Sequence, residues 1–424
     1  MDSILHAFAS LADPFILFVI VAGTAAGIVV GALPGLGSVL AITLALPLTF
    51  VLGSDASIIL LLSLYCGSVY GGSLSAIVIN TPGTPQSAAT ILDGFPMMQR
   101  GEGAQAMGWA TVGSTIGGLL SAVILIVAAP LLARFGLRFG PIEYFALGVF
   151  ALTCVVAVSK EDPLKGLIAC LIGLIVATIG QDPLTGGVRL TFTSFELSAG
   201  VGLVPLLVGL FALSEVFWRM SSKIEDVSGA TGAGFKLPAL ADLLSRWRII
   251  LKSTAIGTGI GTLPGIGATA ASLVSYAEAR RVSPNRERFG KGEPDGVLAS
   301  ETANNAVTSG ALVPTLALGI PGGLATAVLI GALMLQGLVP GPRLFIEQPE
   351  LVYGVMLAQF ITSVCLIGAG LVVSFWAAKI VRIPTSILIP IISVFSLAGT
   401  YAVHLQMFDV VLMAIFAALG ILLR

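Results

Sequence analysis

The sequence predicts an all-α polytopic membrane protein. It further predicts two inverted-topology repeats with re-entrant hairpins or broken helices at Pro-Gly motifs. Three observations lead there: a composition too apolar for a water-soluble surface, an ordered pair of Pro-Gly motifs that occurs twice, and a contrast in Lys and Arg around the two copies. Of 424 residues, 56% are hydrophobic and only 10% are charged, against about 25% charged in an ordinary soluble domain. Most of the outer surface must therefore face lipid.

Eight stretches are long enough to cross, or nearly cross, an apolar layer of roughly 30 Å at 1.5 Å per residue. They are Phe15–Leu33, Ala106–Ala133, Ile142–Ser159, Leu164–Gly180, Gly200–Phe217, Val352–Ala378, Pro384–Ala402 and Val410–Leu423. With the shorter apolar runs between them, about ten to twelve membrane-embedded segments are expected. In lipid every backbone amide needs a partner, so these segments are helices. The net charge of −1 supplies no concentrated basic face and argues against a nucleic-acid partner. Cys66, Cys154, Cys170 and Cys365 sit in apolar runs without metal-like spacing and read as core filler. No Lys or Arg precedes the first apolar run, which is expected to be a retained membrane segment rather than a signal peptide.

The repeat comes next. Gly27, Gly31, Leu33, Pro34, Gly35 and Gly37 recur at identical spacing as Gly257, Gly261, Leu263, Pro264, Gly265 and Gly267. A second motif follows each copy: Asn80-Thr81-Pro82-Gly83-Thr84 after the first, Gly319-Ile320-Pro321-Gly322-Gly323 after the second. Duplication of this kind is a common way to build transporters. The expected organisation is a first repeat over 1–218, a basic cytoplasmic connecting loop over 219–248 and a second repeat over 249–424.

Charge suggests the orientation. No Lys or Arg precedes Arg100, whereas Arg219, Lys223, Lys236, Arg246, Arg248 and Lys252 lie before the second Leu-Pro-Gly copy. Arg280, Arg281, Arg286, Arg288 and Lys291 lie after it. Basic loops stay in the cytoplasm. The segment Ile249–Ala279 is then expected to enter and leave on one side, with Pro264-Gly265 near its tip, and the first copy to enter from the other side. The bland alternative is two ordinary helices joined by a turn. A weaker echo links Ile142–Phe150 with Phe408–Phe416. In the first half it is followed by Lys160-Glu161-Asp162-Pro163 and another apolar helix, and the equivalent helix would begin where the sequence ends at Arg424.

Pro and Gly inside an apolar run leave backbone groups unpaired, which a membrane tolerates only beside protein or a water-filled cavity. Amides freed at a half-helix start suit a carboxylate; carbonyls freed at a half-helix end suit Na⁺. Four such breaks fit a carboxylate-plus-cation site, against the alternative that they only bend helices. The candidate substrate-binding residues are Ser73, Asn80, Thr81, Pro82, Gly83, Thr84, Asn304, Asn305, Pro321 and Gly322. The candidate coupling-ion or gating residues are Leu33, Pro34, Gly35, Gly37, Leu263, Pro264, Gly265, Gly267 and Glu301. Glu301 is a proton-carrier candidate, with a surface helix start capped by the Asn pair as the alternative. The Gly23, Gly27, Gly31 and Gly257, Gly261 spacings read as close helix packing. With two histidines (His6 and His404), no zinc spacing, no nucleophile elbow and no phosphate loop, neither catalytic nor metal-ligating residues are expected, and no cofactor.

At these residues the chain resembles the large membrane subunit of the tripartite tricarboxylate transporters. The resemblance rests on Gly31–Gly37, Tyr70–Pro85, Asp93–Pro96, Gly261–Ala268, Glu301–Asn305, Gly319–Gly322 and Gly337–Pro342, and it spans nearly the whole chain. It implies a multi-pass protein of the bacterial inner membrane. Its implied partners are a small membrane subunit and a periplasmic solute-binding protein, and its implied cargo is a tricarboxylate or related small organic carboxylate, taken up with Na⁺ or H⁺ as coupling ion. Family members usually continue for another apolar segment after the position of Arg424. The competing readings are the permease of an ATP-driven importer, with a coupling helix within the basic region Arg219–Lys252, and a membrane-embedded enzyme.

Overall fold

The computed structural model describes residues 2–158, 163–182, 185–221, 234–265 and 267–423. Lys160, Glu161, Asp162, Lys223, Ile266 and Arg424, all used in the sequence reading, lie outside them. Helices dominate, and several open on a proline whose missing N–H costs nothing at a first turn. Along the first half run α1 (Asp2–Leu11), α2 (Pro14–Ala32), α3 (Gly37–Ala45), α4 (Ser54–Ile79), α5 (Ala88–Gln99) and α6 (Gly103–Gly136). They are followed by α7 (Pro141–Val158), α8 (Pro163–Ala177), α9 (Leu203–Leu207) and α10 (Ser214–Ser221), the last two joined by a π-helical stretch, Val208–Leu213. A two-residue antiparallel ladder, Gly180–Gln181 with Val188–Arg189, precedes α9.

The second half contains α11 (Leu240–Ser245), α12 (Trp247–Gly261), α13 (Ala268–Val282), α14 (Pro294–Leu318) and α15 (Leu324–Leu335). It ends with α16 (Leu344–Glu347), α17 (Pro349–Ile380), α18 (Thr385–His404) and α19 (Met407–Leu422). Among the described residues six helices are long and apolar enough to cross a membrane: α2, α4, α6, the continuous Leu203–Ser221 run, α17 and α18. Five shorter apolar helices accompany them. The protein is a multi-pass, all-α membrane protein.

The structure differs from the sequence reading in three places. Ser54–Ile79 forms one helix, although its hydroxyls and glycines dilute its hydropathy; its apolar window is 94% buried, against 22% for α18. Polar residues can occupy a spanning helix that faces protein on every side. The expected loop 219–248 contains the end of α10, all of α11 and the first residues of α12. Arg219 is not a loop residue: it is buried on α10 and paired with Glu215 at 2.8 Å, one turn away.

The chain divides into two compact units, and each draws on both halves of the sequence. One consists of the described residues of Met1–Ile42, Leu52–Arg138 and Glu225–Pro384; the other, of those of Thr43–Val51, Phe139–Ile224 and Thr385–Arg424. In the second unit, Gly209 lets the π-helical stretch lie against Phe416 and Ala417 of α19, where an added Cβ would come within 2.8 Å of the Phe416 Cβ. His404 Nδ1 meets Asp409 Oδ2 at 2.7 Å across the α18–α19 turn.

The first unit holds both copies of the paired motif. In the first copy, α2 runs alongside α4 with Gly27 against Leu64 and Gly31 against Ser68. In the second, α12 runs alongside α14 with Gly257 against Ala303 and Gly261 against Val307. Each glycine brings backbone onto backbone, as small residues do between membrane helices. Thr24 and Thr254, which occupy corresponding positions, both donate to the carbonyl four residues back, at 2.6 and 2.9 Å.

Helices α4 and α14 themselves run antiparallel. Ser73 meets Glu301, Cys66 and Thr308 share Gln359, and Ile58, Leu61 and Leu62 line one small cavity with Leu312, Thr315 and Leu316. As the α4 number rises, the α14 number falls.

Candidate functional site

All four Pro-Gly motifs interrupt helices, and all lie in the first unit. The α2–α3 break, Leu33–Leu36, puts Gly35 and Gly37 at φ 73° and 68°; the α12–α13 break puts Gly265 and Gly267 at 86° and 82°. Helix α4 ends on Asn80 at φ 57° and α14 on Gly319 at φ 71°, the left-handed conformation that terminates a helix. Asn is among the few non-glycine residues that tolerate it.

Each downstream break then folds back onto its own repeat. The Gly83 N–H donates to the Gly72 carbonyl at 3.2 Å. A Cβ at Gly83 would meet the Gly31 carbonyl, and the Ser75 Oγ at 2.7 Å. In the second copy a Cβ at Gly322 would meet the Gly261 carbonyl at 2.9 Å and the Ala311 Cα at 2.7 Å. Gly83 thus touches Gly31 as Gly322 touches Gly261. Freed amides are only partly satisfied by hydroxyls: Gly322 N–H reaches the Thr315 Oγ1 at 3.4 Å, and Gly323 N–H reaches the Thr326 Oγ1 at 3.0 Å.

The predicted residues form two layers rather than one cluster. Gly83 and Thr84 lie beside Gly72, next to the level at which Ser73 meets Glu301. Pro321 and Gly322 lie by Ala311, level with Leu61–Ser63 of α4, roughly 15 Å along the helix axis at 1.5 Å per residue. Asn80 and Thr81 are exposed; Pro82 is partly so. Thr81 spends its hydroxyl on the Ile79 carbonyl at 3.3 Å.

Glu301 is fully buried within α14, not at a helix start on the surface. Its carboxyl accepts from Ser73 at 2.5 Å, from Ser114 at 2.9 Å and from Thr90. These donors come from α4, α6 and α5. Thr90 and Ser114 escaped the sequence reading; Ser114 sits beside Thr111 and Thr115 on α6, and nothing local distinguishes it from them. Asn304, one turn after Glu301, is buried with its side chain against the Glu301 carboxyl, and neither amide atom has any other hydrogen-bond partner. Asn305 Nδ2, Thr84 Oγ1 and Thr302 Oγ1 are likewise buried and without hydrogen-bond partners. Buried polar atoms are rarely left so. Gln359 of α17, also missed, joins Cys66 with Thr308 and Ser309. Among the described residues no three His, Cys, Asp or Glu side chains group as metal ligands.

Asp93 forms a clamp. Its Oδ1 accepts the N–H groups of Gly290, Gly292 and Glu293, each at 2.8 Å. Arg100 donates to the carbonyls of Lys291 and Gly292, the second at 2.6 Å. The basic 283–293 loop is thereby tied to α5. Burial raises the Glu293 carboxyl above the usual range, and Asp295 beside it adds to the effect. Bonds to a charged acceptor contribute about 1.5–3 kcal/mol each. Asp93→Asn is therefore expected to loosen the loop, read as faster tryptic cleavage at the exposed Arg286 and Arg288. Unchanged cleavage would mean the loop is held by other contacts.

Comparison with known proteins adds the following. The model of the tripartite tricarboxylate transporter TctA family matches residues 17–424. An uncharacterized 52.8 kDa protein of the TAR-I ttuC' 3' region of Agrobacterium vitis is 36% identical over 402 residues, covering 95% of this chain and 80% of that protein. An uncharacterized protein of the TAR-II ttuC' 3' region of the same organism is 36% identical over 168 residues, covering 39% of this chain and 69% of that one. No solved structure matches.

Proposed function

Because the chain belongs to the tripartite tricarboxylate transporter TctA family, we propose that it is the large membrane subunit of a secondary carrier. It imports a tricarboxylate or related small organic carboxylate across the bacterial inner membrane. Its partners are a small membrane subunit and a periplasmic solute-binding protein, and an inward gradient of Na⁺ or H⁺ drives it. A transporter family makes a catalytic role unneeded.

The observation that carries this reading is the recurrence of one packing scheme in both halves. Gly31 and Gly83 meet as Gly261 and Gly322 do, and the corresponding helices α4 and α14 are antiparallel. Equivalent helices pointing opposite ways are what inverted repeats produce. At about 22 Å, the fifteen-residue α12 and α13 are short for a crossing, which favours a re-entrant hairpin.

Substrate would then bind near mid-membrane between the repeats. The Thr84 hydroxyl and the Asn304 and Asn305 amides have hydrogen-bonding capacity to spare, whereas the Gly83 and Gly322 amides and the Ser73 hydroxyl would exchange their present partners for substrate. Asn80 and Thr81 lie on the accessible side. The Leu33–Gly37 and Leu263–Gly267 turns gate the site. Neutral donors can release an anion again, whereas a buried Arg would hold it and would cost several kcal/mol when unoccupied.

The test is uptake of labelled citrate by vesicles containing all three proteins. Accumulation should be insensitive to vanadate and abolished by ionophores. Vanadate-sensitive, ionophore-resistant uptake would instead assign the chain to an ATP-driven importer. Thr81→Val should weaken apparent affinity by about 1–3 kcal/mol, roughly tenfold or more, if the hydroxyl binds substrate. Normal uptake by both Thr81→Val and Asn305→Ala would move the site elsewhere.

A further inference from the structure

We infer that Glu301 is a proton-binding site and that the coupling ion is H⁺ rather than Na⁺; this rests on the carrier reading above.

The case begins with cost. Glu301 is fully buried and draws its partners from four helices without one positive charge among them. Ser73, Thr90 and Ser114 donate to it, and Asn304 stands beside it. An unpaired carboxylate in such a place is expensive, and uptake of a proton is the usual relief. One proton adds to the carboxylate oxygen; no other bond forms or breaks.

The surroundings suit both protonation states. With the carboxylate charged, three hydroxyls donate hydrogen bonds to it. With the carboxyl neutral, its new O–H needs an acceptor, and the Asn304 Oδ1 is buried and otherwise unengaged. A carboxamide can accept through oxygen from the acid or donate through nitrogen to the carboxylate. An amide that meets a buried carboxyl and has no other partner is suited to following its titration.

A bare cation fits less well. Hard cations near Na⁺ in size hold oxygens at roughly 2.3–2.6 Å with lone pairs turned inward. Here Ser73 and Ser114 lie 2.5 and 2.9 Å from the carboxylate oxygens themselves, with their protons turned toward them. A cation would have to prise these contacts apart; a proton need not.

The other titratable groups on the helices around α14 are placed differently. On α4 they are Asp55, exposed in the first turn, the buried Tyr65, Cys66, bonded to Gln359, and Tyr70, bonded to Thr111 and Ser374. Tyr70 also interacts electrostatically with Glu301. On α5 it is Asp93, committed to the loop clamp. Lys252 of α12 pairs with Glu278 of α13, and Tyr276 of α13 stacks edge-on against Phe289. The long α6 carries only Arg134, in its last turn. Among these groups Glu301 is the fully buried carboxyl held by side-chain hydroxyls rather than by a charge or by backbone amides.

Binding of that proton has a mechanical consequence. Helix α14 carries Glu301, while Ser73, Thr90 and Ser114 lie on α4, α5 and α6. A charged carboxylate grips all three donors, and a neutral one gives up part of that hold. Proton binding would loosen the α14 repeat from the other and so permit the carrier to turn over.

The experiment uses the full chain with its small subunit in lipid nanodiscs. Infrared spectra taken across a pH series should show a protonated-carboxyl carbonyl band that vanishes as pH rises. The band should be missing from Glu301→Gln and displaced but still titrating in Glu301→Asp. In vesicles containing all three proteins, citrate should accumulate under an inward proton gradient without Na⁺. Glu301→Gln should abolish that accumulation, and Glu301→Asp should restore part of it. No titrating band traceable to Glu301, or accumulation driven by a Na⁺ gradient at equal pH, overturns the proposal. A titrating Glu301 band together with no citrate uptake under any gradient supports the proton site and refutes the carrier reading.

Discussion

Gly31→Val should deprive the membrane of folded protein. A Cβ at this position falls on the Ser68 carbonyl oxygen and within 2.6 and 2.7 Å of the Ser68 Cα and carbonyl carbon. These are backbone atoms of a helix that is 94% buried along its apolar window, so they cannot swing aside as a side chain would. Parting α2 from α4 would also pull Gly83 from the Gly31 carbonyl and disturb the fold-back onto Gly72. The cost should exceed ~4 kcal/mol, the range in which single substitutions are exceptional. Gly261→Val is the matched test in the second copy. Its Cβ would meet the Val307 oxygen at 2.8 Å and the Ala311 nitrogen at 3.0 Å, a milder clash of about 1–3 kcal/mol. Gly368→Val is the control, because a Cβ on that α17 glycine meets nothing within 4 Å. Size-exclusion profiles of detergent extracts should rank the three as absent, reduced and normal. A wild-type peak for Gly31→Val would mean that α2 and α4 are less tightly apposed than described.

The ordering of these effects also explains what could be read from the chain alone. The four breaks were legible because Pro lacks an N–H and Gly permits positive φ, both local properties. The Gly27/Gly31 and Gly257/Gly261 contacts were legible because a four-residue spacing puts small residues on one helix face. Helix α4 was not legible as a span: Ser63, Ser68, Ser73 and Ser75 lower its hydropathy, and only knowledge of its burial shows that they face protein. The antiparallel meeting of α4 with α14 depends on residues more than two hundred positions apart, which no local pattern encodes. For the same reason the three donors to Glu301 could not be assembled beforehand. The two compact units were hidden too, since each takes segments from both halves of the sequence. At the site, residue types were more legible than their grouping. Hydroxyls and amides were expected, and they are present, but in two layers along α4 and α14.

Asn304→Leu should make the protein more stable and stop it transporting. Apart from the Glu301 carboxyl beside it, neither atom of the Asn304 amide has a hydrogen-bond partner, although the residue is fully buried. Leaving a buried polar group unsatisfied costs about 1–3 kcal/mol, and Leu keeps the branching of Asn without its polar atoms. Removing the amide should therefore raise the apparent unfolding temperature in detergent. The gain should be partly offset by the extra volume of Leu, since overfilling a well-packed site has its own cost. A residue that lowers stability persists where function uses it. On the proposed reading that use is to face substrate or to follow the Glu301 proton, and either would leave Leu without activity. Asn305→Leu offers a weaker version, because only the Nδ2 of that residue is without a partner. The two measurements have separate consequences. A lower unfolding temperature for Asn304→Leu would show that the amide has a partner in the folded protein, such as the Glu301 carboxyl itself. Undiminished citrate uptake by a well-folded Asn304→Leu would remove Asn304 from the transport machinery, and the unpaired amide would then need a purely structural explanation.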